Sequence, residues 1–323
     1  MDAAVRRRPP GHSRLDLAAL TSVLVVNAGS TSLKLSLVDE RDESVRVDSL
    51  DAVPDDVLAV GHRIVHFGDL VIEAAVADTW VLSDIEEGAG IAPLHNRPAL
   101  EALEQAQRTL PDVPHAVVSD SYFHNTMPEH ARRYAIPESW RLGYGVVRHG
   151  FHGLAVRSVA EQTPVARLVV CHLGGGASVT AVKEGRSLDT TMGLTPLEGL
   201  PMATRSGSID PGALVHLLRQ GVDVDELDRV LNEESGLKAL GGLDDPLGFG
   251  VYTYRVAQAV AAMAVALGGL DTLAFSGGVG ENRADVREAI VARVRFLGEF
   301  AVDVVPARED VIVARVVRTL LDQ

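Results

Sequence analysis

The stretch Val23-Leu24-Val25-Val26-Asn27-Ala28-Gly29-Ser30-Thr31-Ser32-Leu33-Lys34-Leu35-Ser36-Leu37 limits what this chain can fold into. Its first part is an apolar run rich in β-branched residues, the pattern of a buried strand. Its last part alternates strictly, with Leu33, Leu35 and Leu37 on one face and Ser32, Lys34 and Ser36 on the other. The pattern predicts two strands joined by a polar turn, with hydroxyls and one ammonium gathered away from the core. Such a group of donors suits an anion, phosphate above all. An ordinary hairpin with a small polar loop has the same local pattern.

The unit recurs. Arg167 to Leu173 is again an apolar strand, Gly174-Gly175-Gly176 a turn, and Ala177 to Val182 a second strand. Using one hairpin twice points to an internal duplication. Three successive glycines let backbone N–H groups approach a ligand closely, although tight turns use the same residues. A third candidate cradle is the strand Thr272 to Phe275, a Gly-rich turn from Ser276 to Asn282, and a helix from Ala284 to Arg295.

Between these units, Asp39 to Asp56 reads as acidic and turn-like, and Ala59 to His66 as a strand. Arg63 and Val65 share one face of that strand, a guanidinium beside a small apolar group. The pair can hold a short carboxylic acid, or Arg63 can sit in a surface ion pair. Pro93 to Pro98 reads as a turn, and Ala99 to Leu110 as a helix. The strand His115 to Ser119 ends on Asp120, where an α/β protein places catalytic or metal-binding carboxylates; helix capping is the plainer alternative. Phe151-His152-Gly153 precedes a helix from Leu154 to Glu161. Arg205, flanked by small residues, can clamp an anion against Arg63. Further helices are expected over Gly212–Arg219, Val224–Asn232 and Gly250–Leu267, then a strand over Ala301–Val305 and a helix ending at Leu321.

With 323 residues, 46% hydrophobic and 23% charged, the chain can hold one large or two medium globular domains. The net charge of −14 argues against nucleic acid or an anionic membrane as partner, so any anion site has to be a local cluster of cations. Cys171, the single cysteine, lies in an apolar run and reads as a buried small hydrophobe. No internal disulfide can form, which fits a reducing cytoplasm. Residues 1–20 carry arginines and prolines without a following apolar core, the pattern of a disordered leader rather than a signal peptide. Val256 to Leu270 is Ala-rich and reads as a buried helix.

Taken together, these blocks resemble the acetate kinase family, within the acetate and sugar kinase, Hsp70 and actin superfamily. The matching stretches run from Val23 to Arg315, and the motifs are Asn27–Lys34, Gly61–His66, Ala92–Asn96, Phe151–Gly153, Met192–Gly199, Thr204–Pro211 and Gly278–Asn282. The resemblance implies an α/β fold of two ribonuclease H-like halves around a nucleotide cleft. The first half would hold residues 21–119 and 309–323, the second 120–308. It also implies Mg²⁺- and ATP-dependent phosphorylation of acetate or propionate to the acyl phosphate, in a homodimer.

Residue by residue, Arg63 and Arg205 would hold the carboxylate and the migrating phosphoryl group, with His152 and Asp120 in catalytic roles. Val65, Leu94, Phe151 and Pro196 would form the pocket for the alkyl end. Asn27, Asp120 and Glu309 would surround Mg²⁺. Ser30, Ser32, Lys34, His172, Gly174, Gly175, Gly176, Gly278, Val279, Gly280, Glu281 and Asn282 would face the nucleotide phosphates.

The chain also departs from the family pattern. It is short for the family, with deletions between Asp39 and Val60 and around Gly241–Gly248, where an Arg beside the adenine is missing. Gly175 stands for an Asn, Val156 for a His, Phe67 for a Gly, and Ala307-Arg308 for Thr-Asn. The alternative to an active enzyme is a degenerate homologue that binds nucleotide or a partner without useful turnover, and its motive is Gly175 together with the missing Arg.

Overall fold

The structure is a computed structural model and describes residues 22–28, 33–54, 57–67, 72–87 and 93–322. In chain order the first unit runs β1 (Val23–Ala28), β2 (Leu33–Val38), β3 (Ser44–Val47), β4 (Ala59–Ile64), β5 (Ala74–Val76), α1 (Thr79–Glu87), α2 (Pro93–Thr109) and β6 (His115–Ser119). Three helices follow: α3 (Glu129–Arg132), α4 (Glu138–Tyr144) and α5 (Gly153–Gln162). Then come β7 (Arg167–Leu173), β8 (Ala177–Lys183), β9 (Arg186–Thr190), α6 (Pro211–Arg219), α7 (Val224–Arg229), α8 (Gly236–Ala239) and α9 (Pro246–Leu267). The chain closes with β10 (Thr272–Ser276), α10 (Gly277–Asn282), α11 (Ala284–Val294), β11 (Ala301–Val304) and α12 (Glu309–Leu321).

Two mixed sheets result, and the second repeats the first. The first has the order β3-β2-β1-β4-β6-β5, the second β9-β8-β7-β10-β11. In each, the opening hairpin is antiparallel and the next strand lies parallel beside its first arm, β4 beside β1 and β10 beside β7. This is the duplication expected from the repeated hairpin, in the ribonuclease H-like form that the resemblance implies. Among the described strands, only β5, antiparallel to β6, has no counterpart in the second sheet.

Each central strand is apolar throughout because both its faces are covered. Leu24 and Val26 of β1 pack with Leu103 and Ala106 of α2, while Val23 and Val25 pack with Val313 and Val317 of α12. In β7, Val169 and Cys171 join a core with Val256 and Val260 of α9; Leu168 and Val170 face Val156 and Val159 of α5. The last helix thus returns to the first sheet. It lies so close to β4 that a Cβ on Gly61 would stand 2.8 Å from Val313 Cγ1 and 2.9 Å from Val317 Cγ2. Cys171 is fully buried, and burial pushes its thiol pKa up.

Several local expectations are corrected. Pro93 to Pro98 is no turn but the start of α2. Proline is at home in a helix's first turn, and this helix carries the second one, Pro98, at the loss of one ladder bond. Ser276 to Asn282 is likewise not a simple turn: Gly277 to Asn282 is a short helix, its opening N–H held by Glu281 Oε1 at 2.9 Å. The acidic stretch Asp39 to Asp56 contains edge strand β3, paired through Leu37 and Val45. The helix expected to Asn232 ends at Arg229 and passes into a π-turn over Val230–Glu234. The expected leader lies outside the described residues.

Candidate active site

The site forms where the carboxyl ends of β4, β6, β1 and β7 meet. Arg63 is next to last in β4, and Asp120 immediately follows β6. Their parallel pairing continues one step past the strands, since Asp120 N donates to Ile64 O at 2.9 Å. Arg63 Nη2 then lies 2.6 Å from Asp120 Oδ2, with Asp120 fully buried and the Arg63 side chain 11% exposed. Two backbone amides complete the carboxylate: His152 N donates to Oδ2 at 3.2 Å and Leu154 N to Oδ1 at 3.1 Å. Gly153 is required here, because a Cβ would come 2.2 Å from Asp120 O.

These contacts fix the ionisation states. Burial alone would raise the Asp120 pKa, but Arg63, His152 and the donated hydrogen bonds more than reverse it. Burial likewise opposes charge on Arg63, and Asp120 and Glu309 outweigh it. His152 goes the other way. Burial, and after it the neighbouring His172, holds its pKa well below the usual histidine value, so the ring is neutral at pH 7. Its backbone is left-handed, at φ 62°, an uncommon conformation for a non-glycine residue and one that clusters at functional sites.

Around this pair the remaining groups assemble. Arg63 Nη1 donates to Asn27 Oδ1 at 3.3 Å, and Asn27 Nδ2 to Glu309 Oε2 at 2.9 Å. The rings of His152 and His172 lie 4.8 Å apart; Ser178 and Ser276 hold their Nδ1 atoms at 3.1 and 2.9 Å. A Cβ on Gly176 would stand 3.0 Å from His152 Nε2 and 3.9 Å from Arg205 Nη1, so the neutral imidazole and the guanidinium both reach the glycine turn. Arg205 Nη1 also donates to Pro196 O at 3.4 Å, and burial lowers its pKa.

A cavity of about 430 Å³ opens over this group. Of the residues singled out in the sequence, Asn27, Lys34, His152, His172, Gly174, Gly175, Gly176, Gly278, Glu281 and Glu309 line it. Arg63 and Asp120 lie behind Asn27 and His152, tied to them by the bonds above. Val65 and Phe151, both buried, belong to one apolar cluster with Met192 and Met202. The other expected phosphate-side residues are placed differently. Val279 packs against the core of the second sheet, Gly280 is buried, and Asn282 Nδ2 donates back to Gly278 O. Ser30 and Ser32 lie outside the described residues, as does the side chain of Leu94.

Ser36, expected on the donor face, and Gly277, in the expected glycine cradle, also line the cavity; sequence reasoning missed Asp310 on its wall, and the part of Ser178 and Ser276 in orienting the histidine rings. The strand register carries that last signal: His172 pairs with Ser178 on β8 and with Ser276 on β10. A larger cavity of about 530 Å³, bordered by Arg148, Thr191 and Met263, contains none of the residues expected from the sequence.

Duplicated sheets with glycine turns at one cavity define an α/β class shared with solved carboxylate kinases. A propionate kinase from Francisella tularensis superposes with TM-score 0.83 at 28% identity, covering 91% of this chain and 98% of that one. Porphyromonas gingivalis acetate kinase gives TM-score 0.79 at 29% identity, covering 93% and 100%.

The family is equally plain in sequence. The Acetokinase family model matches residues 46–317. Acetate kinase of Deinococcus deserti is 44% identical over 272 residues, 76% of this chain and 68% of that protein. The Deinococcus radiodurans acetate kinase is 38% identical over 342 aligned positions, 85% and 86% of the two. The chain belongs to the Acetokinase family.

Proposed function

We propose that this chain transfers the γ-phosphoryl group of ATP to a short-chain carboxylate, acetate or propionate, reversibly. The observation that carries the reading is that Arg63 is bonded to Asn27 on the wall of one cavity, while Arg205 Nη1 comes within 3.9 Å of where a Cβ on Gly176, on the same wall, would stand. A carboxylate is already a nucleophile at pH 7, so no general base is needed. One of its oxygens forms the new bond to phosphorus as the bond to the bridging oxygen of ADP breaks, and no proton moves. The obstacle is that two anions have to meet. Arg63, Arg205 and Lys34 supply the positive charge, and neutral His152 donates a hydrogen bond to the migrating group.

Mg²⁺ fits the residues present. It takes one or two carboxylates and keeps its other positions for water and phosphate oxygens. Glu309 and Asn27 line the cavity and would hold it, directly or through water. Asp120, whose oxygens already accept from Arg63 and two amides, would act from behind them. When bound, the ion shields the charge of the nucleotide phosphates.

The reading carries three further parts. The half made of residues 21–119 and 309–323 closes against residues 120–308 around the nucleotide, excluding water from the transfer. The protein works as a homodimer through the second half. There α6 has no buried side chain although it presents Val215, Leu217 and Leu218, and α9 exposes Leu247, Tyr254 and Val265. Cytoplasmic residence fits the single, buried cysteine.

The test is acyl-phosphate trapping with ATP and Mg²⁺ over acids from formate to butyrate. Turnover highest with acetate or propionate is expected. A folded sample inactive with every acid and every nucleoside triphosphate would overturn the reading in favour of a binding-only homologue.

A further inference from the structure

The chain between β9 and α6, residues 191–210, contains no helix or strand, and yet it carries both Pro196 and Arg205. Backbone groups in such a segment need partners from side chains. Arg148 serves the start of the segment. Its Nη1 donates to the carbonyls of Thr190, Thr191 and Met192, at 2.9 Å for the last, and its Nη2 to Glu198 Oε1 at 2.8 Å. The same guanidinium lies over the Tyr134 ring, 5.3 Å from its centroid. The Tyr134 hydroxyl donates to Glu198 Oε2 and accepts from Leu194 N at 3.0 Å.

Nothing separates this group from the main chain it holds. A Cβ on Gly193 would stand 1.7 Å from Glu198 Oε2 and 2.2 Å from Tyr134 Oη. On its other side, Gly193 O accepts from His149 N at 3.0 Å and Gly150 N at 3.2 Å, which ties the loop to the segment leading into Phe151 and His152. Within the loop, the Pro196 carbonyl accepts from Arg205 Nη1 at 3.4 Å.

We propose that Arg148, Glu198 and Tyr134 are positioning residues, a brace that fixes the Met192–Gly199 loop and, through Pro196 O, aims the Arg205 guanidinium. The brace itself touches neither the cavity's glycine turns nor the Asn27–Glu309 side, so it reaches the nucleotide only through Arg205 and the migrating phosphoryl group, and binding of ATP itself stays with those other groups. Lysine cannot replace Arg148, because an ammonium cannot fork between the carbonyls and Glu198. The proposal rests on Arg205 contacting the reacting groups, as read above.

Arg148→Lys and Glu198→Gln, compared with wild type, test it by three measurements: carboxylate and ATP kinetics, melting temperature, and amide hydrogen exchange over residues 192–199. Expected for Arg148→Lys is a loss of about 10- to 100-fold in kcat/KM for the carboxylate with KM for ATP unchanged. Exchange of the loop amides should rise by about tenfold while β7 and β8 stay protected. Glu198→Gln keeps the shape and one acceptor, so it should show the same pattern more weakly. Wild-type carboxylate kinetics with unchanged loop exchange in Arg148→Lys would overturn the proposal. So would equal damage to ATP and carboxylate together with lost protection across β7 and β8, the mark of general destabilisation; should Arg148→Lys not fold, Glu198→Gln decides by the same criteria. If the wild type makes no acyl phosphate at all, the functional reading fails, and loop exchange in the two variants alone decides the brace.

Discussion

Arg63 and Asp120 form a buried, charge-assisted pair, Nη2 to Oδ2 at 2.6 Å, and among the described residues Asp120 has no other ion-pair partner. Their roles separate on mutation. Arg63→Ala removes a transition-state contact and also strands a buried carboxylate. We expect kcat to fall by roughly 10²–10³ and stability to fall by about 3–5 kcal/mol. Asp120→Asn should also destabilise, since its amide group must face either Arg63 or a backbone N–H. Steady-state kinetics with urea unfolding checks both; an Arg63→Ala enzyme of wild-type kcat would remove Arg63 from the mechanism.

Arg205 Nη1 meets Pro196 O and the Met202 sulfur. Arg205→Ala should lower kcat by a similar factor, roughly 10²–10³. Lys should restore only part, returning charge without the bidentate geometry. Parallel melting curves and rates for the Ala and Lys variants measure it, and full rescue by Lys would count against a bidentate role.

Much of this was legible in the sequence, and the reason is periodicity. The apolar run at Val23 and its echo at Leu168 announced the two central strands; Asn27 and His172, each next to last in its strand, both reach the cavity wall. Asp120 followed from its place at a strand end, and Arg63 from the face it shares with Val65. The helix over Pro93 to Pro98 was hidden because prolines signal turns, and α10 because glycines do. The brace of Tyr134, Arg148 and Glu198 was illegible for another reason: its members lie on separate segments with no shared local pattern, and only the folded chain brings them together.

Buried histidines set the acid limit of stability. Burial lowers the pKa of His62 to about 3 and of His124 to about 4; with a charge on His66 adding to it, burial also takes His149 to about 3. His115, His152 and His172 are lowered as well, chiefly by burial. All six are neutral when folded and take up protons on unfolding once pH drops below the unfolded value near 6.5. Stability should therefore be level above pH 7 and fall from about pH 6.5 toward pH 4, each extra proton contributing about 1.4 kcal/mol per pH unit. Lowered carboxylates such as Asp120 add a further loss at still lower pH. A melting temperature constant from pH 7 down to 4.5 would refute this assignment.

Val65 tests the alkyl pocket. It is 2% exposed and shares its apolar cluster with Phe151. Val65→Ala opens space for one or two carbons, so preference should move toward longer acids by about 1–3 kcal/mol at most. The ratio of kcat/KM for butyrate to that for acetate reads it directly; an unchanged ratio would place the alkyl end elsewhere.

Gly175 offers a gain-of-function test. In the Gly174–Gly176 turn it lies on the cavity wall, and a Cβ built there meets nothing within 4 Å. Its φ is not positive, so a larger residue fits without backbone strain. The acetate kinase pattern that the chain resembles has Asn at this position, whose amide adds a donor on the phosphate side. A hydrogen bond to a charged group contributes about 1.5–3 kcal/mol, so Gly175→Asn should lower KM for ATP by roughly tenfold or more. The carboxylate KM should not move, because the new amide faces the nucleotide side of the cavity. If ATP affinity stays the same while the variant folds normally, the glycine turn does not contact the phosphates, and the nucleotide must enter the cavity along Glu281 and Gly278 instead.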